Sequence, residues 1–362
     1  MHTELLTTDN ADRIAEAQAR AVALLEAGAA VALPTETVYG LAADTLRPDA
    51  LVKIFEAKER PYFDPLICHL PDIDWLERMT RIPEESRALV DELAARFWPG
   101  PLTLVLPRSE IVPDLVTSGL ETVALRMSAH PVFRGIVQRF GRPLSAPSAN
   151  RFGRISPTAA AHVMSELDGR IPLIVDGGPT AHGVESTIVA VEGTTLRLLR
   201  AGPVTPEELC AAWQHVRRLR GEPDDASTFY AALSISRQAE THVRSLAMEA
   251  PGLMKSHYAP RTPLRLLAHG ANLVEAVASS GVEPIRVGVL AFRTVSRDAG
   301  FAAKEILSPS GDLREAAATL FAKLRHLDEA NLDLIIAESV PEGGLGIAIM
   351  DRLRKAQGAG DA

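Results

Sequence analysis

The chain has 362 residues, enough for two domains each with its own core. Hydrophobic residues make up 46% and charged residues 23%, an ordinary balance for soluble globular proteins. A net charge of −8 argues against a protein that coats nucleic acid through its bulk field, while leaving local basic pockets open. No apolar run approaches the length that crosses a bilayer, and the polar start MHTELLTTDN lacks a signal peptide's apolar region. Cys68 and Cys210 stand far apart and give neither a disulfide framework nor a metal-ligand spacing. Together these features point to the cytoplasm.

A first helix is expected over 11–27, with Leu24 and Leu25 on its apolar face and Gly28 as its stop. The apolar run Ala29–Leu33 reads as a buried strand that Pro34 ends. Thr35, Glu36, Thr37 and Tyr39 follow, a hydroxyl-rich cluster at a strand end, where open α/β sheets bind ligands. Gly40 is expected to let the chain turn away. A short helix opens at Pro48, carries the stripe Leu51, Ile54 and Phe55, and delivers Lys58 and Arg60 before Pro61 ends it. This pair suits a phosphate, the guanidinium gripping two oxygens and the ammonium acting as a point charge. A solvated basic helix end gives the same pattern.

Strand-like runs recur at Leu66–Leu70, Leu102–Leu106, Thr122–Met127, Ile171–Val175, Ser186–Val191 and Leu196–Leu199. Helical patterns lie at Glu84–Phe97 and Pro131–Phe140, from a Ser156 cap with Pro157 in the first turn, and behind the capping box Thr205–Glu208. The alternation defines an α/β domain over 1–218. It breaks down over 219–263, a stretch that reads as a linker or a functional loop. Basic Lys255, His257 and Arg261, interleaved with Tyr258, argue against a plain spacer. Over 264–362 the alternation restarts, with strand candidates Leu264–Ala268, Ile285–Phe292 and Leu332–Ala337. A helix capped by Ser310 and striped by Leu313, Ala317, Leu320, Phe321, Leu324 and Leu327 lies between them, predicting a small Rossmann-like domain. The glycine-rich stretch 342–356 precedes a helix but lacks G-x-G-x-x-G, so structural glycines compete with nucleotide binding there. There is no internal repeat, no G-x-x-x-x-G-K-[ST] loop and no C-x-x-C.

Other candidates each carry two readings. Ser148 and Asn150 either cap a loop or donate to a nucleotide's phosphates or sugar. Arg126 pairs with a ligand carboxylate or with a structural one. Glu185 and Ser186 follow the glycines 177, 178 and 183, which let backbone approach a ligand. His69 alone on a strand is more often structural.

These residues carry a family resemblance. PTETVYGLAADT (34–45), FEAKERPYFDPLICHL (55–70), FWPGPLT (97–103), VALRM (123–127), APSAN (146–150), GRISPT (153–158), GVESTIV (183–189) and LLRAG (198–202) stand in order. The chain resembles the threonylcarbamoyl-AMP synthases with a YrdC-like domain, and APGLMKSHYAP (250–260) resembles the linker of their two-domain form. The resemblance covers nearly all of residues 10–262, more weakly to the end. It implies a twisted mixed sheet around a positively lined cavity, with the linker as a lid over its mouth. It implies L-threonine held by Thr35, His69, Arg126, Ser148 and Ser186. ATP would be held by Lys58, Arg60, Tyr62, Thr122, Asn150, Ser156, Arg200 and Tyr258, with Lys58 and Arg60 as the catalytic pair. The implied reaction joins ATP, L-threonine and bicarbonate or CO2 into threonylcarbamoyl-AMP and pyrophosphate, with Mg2+ arriving on ATP. The product passes to a tRNA threonylcarbamoyltransferase, and direct tRNA binding is weak or absent. Asp64, Ser128 and Ala201 depart from the usual Asn, Pro and Pro of the family. A double-stranded RNA-binding module of the YrdC type is the rival, disfavoured by an acidic chain without an aromatic–basic face. A hydrogenase-maturation carbamoyltransferase is excluded, because its C-x-x-C motifs are missing.

Overall fold

Two sheets organise the chain in its computed structural model, which describes residues 2–230, 258–268, 286–295 and 300–357. The first has ten strands: β1 (Glu4–Thr7), β2 (Val31–Leu33), β3 (Gly40–Asp44), β4 (Ile67–His69), β5 (Leu102–Pro107), β6 (Thr122–Arg126), β7 (Leu144–Ser145), β8 (Leu173–Asp176), β9 (Thr187–Glu192) and β10 (Thr195–Arg200). Their spatial order is β1-β8-β2-β3-β7-β4-β6-β5-β9-β10. Parallel pairs such as β4–β6 and β5–β9 mix with antiparallel ones such as β2–β3 and β5–β6. Both faces of the β2 end of the sheet are covered. Ala30 and Ala32 face one core with Leu51 and Ile54, while Val31 and Leu33 face another with Leu25 and Phe133. That is why β2 reads as a continuous apolar run and not as an alternation.

The second sheet holds β11 (Leu264–Leu266), β12 (Val287–Ala291), β13 (Ala303–Ile306) and β14 (Leu334–Ala337) in the order β11-β14-β12-β13, all parallel. Helices Leu313–Asp328 and Gly346–Gln357 accompany it. Its core is not closed on itself. Leu320, Phe321 and Leu324 share one apolar cluster with Val38, Ile155, Val184 and Tyr258 of the segments around the first sheet.

Several local expectations change. Gly40 does not turn the chain away but starts β3, so residues 34–39 form the loop of a β2–β3 hairpin. A Cβ at Gly40 would stand 3.1 Å from that of Ala146, so the glycine serves close packing against the 146–148 segment. Ser156 caps no helix; that helix begins at Ala160 behind Ala159, and the Ser156 hydroxyl goes to Glu185 instead. Asp312, not Ser310, caps the helix Leu313–Asp328, while Ser310 donates to Glu315. Strands β1, β3, β7 and β13 are additions to the sequence reading. The capping box at Thr205 and Glu208 is present as expected.

Candidate active site

The hairpin loop, the C-terminal ends of β4 and β6, and the turns after β7 and before β9 converge on one small cavity of about 40 Å3. Thr35, Arg60, His69, Arg126, Ser148, Ser186, Arg200 and Tyr258 line it together with Thr37 and Glu185. Eight of the thirteen residues singled out from the resemblance therefore meet around one space. Lys58, Asn150 and Ser156 lie buried behind its wall. Two stand apart from it. Tyr62 is 55% exposed with its ring against Phe55, and Thr122 sits at the opposite end of β6 from Arg126.

Lys58 and Arg60 are not a solvated helix end. Lys58 is 1% exposed, and its Nζ donates to the carbonyls of Ser148 and Asn150, each at 2.5 Å. This one amino group thus fixes the APSAN turn that brings Ser148 to the cavity. Burial, with the charge of Arg60, lowers the Lys58 pKa to about 7. Glu59 between them adopts a left-handed conformation as the helix terminates, which redirects the chain. Arg60 then donates to the carbonyls of Asp64 and Pro65 and pairs with the Asp64 carboxylate at 2.8 Å. Asp64, the departure from the usual Asn, is fully buried, and burial pushes its pKa up against the opposing pull of Arg60.

Arg126 makes the structural pair that the sequence left open. Its guanidinium donates to Glu36 at 2.6 Å, to the Thr37 hydroxyl at 3.0 Å and to the Gly100 carbonyl at 3.2 Å. Ser128 donates to the other Glu36 oxygen, a bond that a proline in its place would lack. Burial works to raise the Glu36 pKa, but the Arg126 charge and these hydrogen bonds outweigh it and hold the group at about 2. The Thr35 hydroxyl bonds the Val38 carbonyl at 2.6 Å and closes the loop on itself. His69 packs on Phe133 with ring centroids 4.7 Å apart, its Nδ1 without a protein partner. Burial, then Arg126, pushes its pKa down to about 3, so the ring is neutral throughout the physiological range.

On the far wall Ser186 meets Thr103 at 2.8 Å and accepts from Arg200 at 3.1 Å. Glu185 accepts from Ser156 and from Arg352, a residue that sequence reasoning passed over. The glycine expectation for this loop also changes. A Cβ at Gly183 would stand 2.4 Å from the Ala317 carbonyl oxygen, so this glycine admits the helix Leu313–Asp328 and not a ligand. Asn150 donates to the carbonyls of Arg151 and Arg154 and keeps its Oδ1 buried without a partner. Lys255 and His257 lie outside the described residues; Tyr258 is buried, stacked on Phe321 at 5.6 Å.

The pattern of the Sua5/YciO/YrdC family, described as telomere recombination, matches residues 23–202, which hold most of the mixed sheet and most of the residues lining its cavity. The pattern of the threonylcarbamoyl-AMP synthase C-terminal domain matches residues 205–358. The chain belongs to the two-domain threonylcarbamoyl-AMP synthase family, enzymes of the nucleotidyltransferase type. It is 40% identical to the threonylcarbamoyl-AMP synthase of Pyrococcus abyssi, covering 96% of each chain. It is 42% identical to that of Bacillus subtilis over 94% of this chain and 92% of the relative. A crystal structure of P. abyssi Sua5 complexed with L-threonine superposes with a TM-score of 0.83 at 37% identity, covering 98% of both chains. Among the described residues no helix is long and apolar enough to cross a membrane.

Proposed function

We propose that the chain is an L-threonylcarbamoyladenylate synthase that joins ATP, L-threonine and bicarbonate-derived CO2, releasing pyrophosphate. The observation that carries this reading is the convergence of Thr35, His69, Arg126, Ser148 and Ser186 with Arg60, Arg200 and Tyr258 on one cavity. The first group suits an amino acid, the second a nucleotide. In the proposed sequence the threonine amine attacks CO2 and loses a proton to give a carbamate. A carbamate oxygen then attacks the α-phosphorus in line, and the α–β bridging oxygen leaves with pyrophosphate. Neither step needs a protein nucleophile; holding the reactants and neutralising charge supply the catalysis. Mg2+ enters with ATP, held by phosphate and water oxygens. That fits a site whose carboxylates Glu36, Asp64 and Glu185 are each engaged by an arginine. The product passes in the cytoplasm to a tRNA threonylcarbamoyltransferase. An acidic chain supports weak or no direct tRNA binding over the RNA-module reading. Carbon-13 bicarbonate tests the route: the label should appear in an adduct carrying both AMP and threonine, and an unlabelled adduct would contradict it.

Lys58 gives this reading a pH signature. At pH 8 a lysine with a pKa of about 7 is mostly neutral, and a triphosphate in the cavity whose wall Lys58 backs would restore the charged form. ATP binding is therefore expected to take up about one proton at pH 8 and little at pH 6. Calorimetry in two buffers of different ionisation enthalpy reads this directly. Equal uptake at both values would place Lys58 out of reach of the phosphates.

A further inference from the structure

Arg352 lies on the helix Gly346–Gln357 of the second sheet's region, yet its contacts belong to the catalytic cavity. It is 1% exposed. Its Nε donates to Glu185 Oε2 at 2.9 Å, and its Nη1 to the Ala201 carbonyl at 2.9 Å, next to Arg200. Its guanidinium also lies 5.3 Å from the centre of the Tyr258 ring. Glu185, Arg200 and Tyr258 all line the cavity. One side chain thus ties together three stretches of wall that are remote in sequence. The same Nη1 also donates to Asp351 at 2.7 Å, while Nη2 is buried without a hydrogen-bond partner among the described residues.

A buried ion pair is a poor device for stability, since well-packed apolar residues often serve as well or better. This one sits where charge matters. Glu185 faces a space that must accept a triphosphate, and an unmatched carboxylate there would repel it. The seating is close as well: the loop bearing Glu185 rests, through Gly183, on the backbone of Ala317 and Ala318. We infer that Arg352 is a positioning residue for the nucleotide side of the active site, holding Glu185 and Tyr258 in the arrangement that admits ATP. This rests on the reading above, in which the Arg200 and Tyr258 side of the cavity takes ATP. It gives the C-terminal region a direct part in the reaction.

The test uses the full chain with R352M, which removes the charge, and R352K, which keeps it but loses the fork. Calorimetric affinities for ATP and for threonine are measured separately, with thermal melts to show that both variants fold. R352M should weaken ATP about tenfold or more, the scale of one truncated buried charge pair, and leave threonine within about twofold. R352K should fall between R352M and the unmodified chain. If R352M does not fold, R352K alone carries the test through a selective loss of ATP affinity. ATP affinity unchanged in the folded variants, or ATP and threonine lost to the same degree, would overturn the inference. An unmodified chain that binds ATP but forms no adduct would instead overturn the functional reading, and the affinities would still report on Arg352.

Discussion

Arg126→Ala is expected to lose about 3–5 kcal/mol of stability at neutral pH, the cost of leaving one half of a buried ion pair behind. The half left behind is Glu36, buried between the cavity-lining Thr35 and Thr37, with Ser128 as its remaining side-chain donor. Threonine binding should fall with it, because the loop of Thr35 and Thr37 is held through the Arg126–Thr37 bond. The effect should depend on pH in a defined direction. In the intact chain Glu36 is held at about 2, below its ordinary 4.5, so it stabilises the fold above pH 4.5 and that contribution fades as pH falls towards 2. Without Arg126, burial dominates and raises the Glu36 pKa. The carboxylate then costs stability at neutral pH and recovers it on protonation. The gap between variant and parent should therefore narrow from pH 7 to pH 4, measured by denaturant unfolding at each. A gap independent of pH would mean that the loss comes from packing and not from the stranded charge.

Arg60→Ala is expected to cost kcat/KM for ATP about two orders of magnitude, the scale of truncating one buried hydrogen-bonded charge pair. The geometry sharpens this expectation. Arg60 is no freely projecting helix-end residue but a buried brace for residues 64 and 65, so its loss also strands Asp64. Stability should drop together with activity. Arg60→Lys should remain impaired, since an ammonium cannot reproduce a fork that meets two carbonyls and a carboxylate. Asp64→Asn separates the two roles: it removes the competing charge and leaves the Arg60–carbonyl bonds in place. That variant should lower KM for ATP by about two- to fivefold, with a smaller drop in melting temperature than Arg60→Ala because Arg60 keeps its two carbonyl bonds. A raised KM would mean that Asp64 helps to hold ATP and does not merely balance Arg60.

What the sequence disclosed, and what it hid, divides along the range of the interactions. Pro34 ending β2, the helix Pro48–Lys58 and the Thr205 capping box are local chemistry, and each was readable from neighbouring residues. Strand β3 was missed because GLAAD lacks alternation even though its partner β2 is only a hairpin away, and β7 because LS is two residues long and is fixed by pairing about a hundred residues distant. Ser156 looked like a helix cap because serine before proline usually is one; its real partner, Glu185, is 29 residues away. The gathering of site residues was legible only through the ordered motifs of the family. Arg352 carried no local signal at all. An arginine in a helix near a chain end reads as solvated surface, and only the packing of the second region against Glu185 and Tyr258 reveals it.

Pyrophosphate release by the purified full-length chain, with ATP, L-threonine and bicarbonate omitted one at a time, tests the central claim most directly. The account predicts release only when all three are present. Serine should turn over about 10- to 200-fold less well than threonine, the discrimination that one methyl in a fitted pocket provides. Undiminished release without threonine would contradict it.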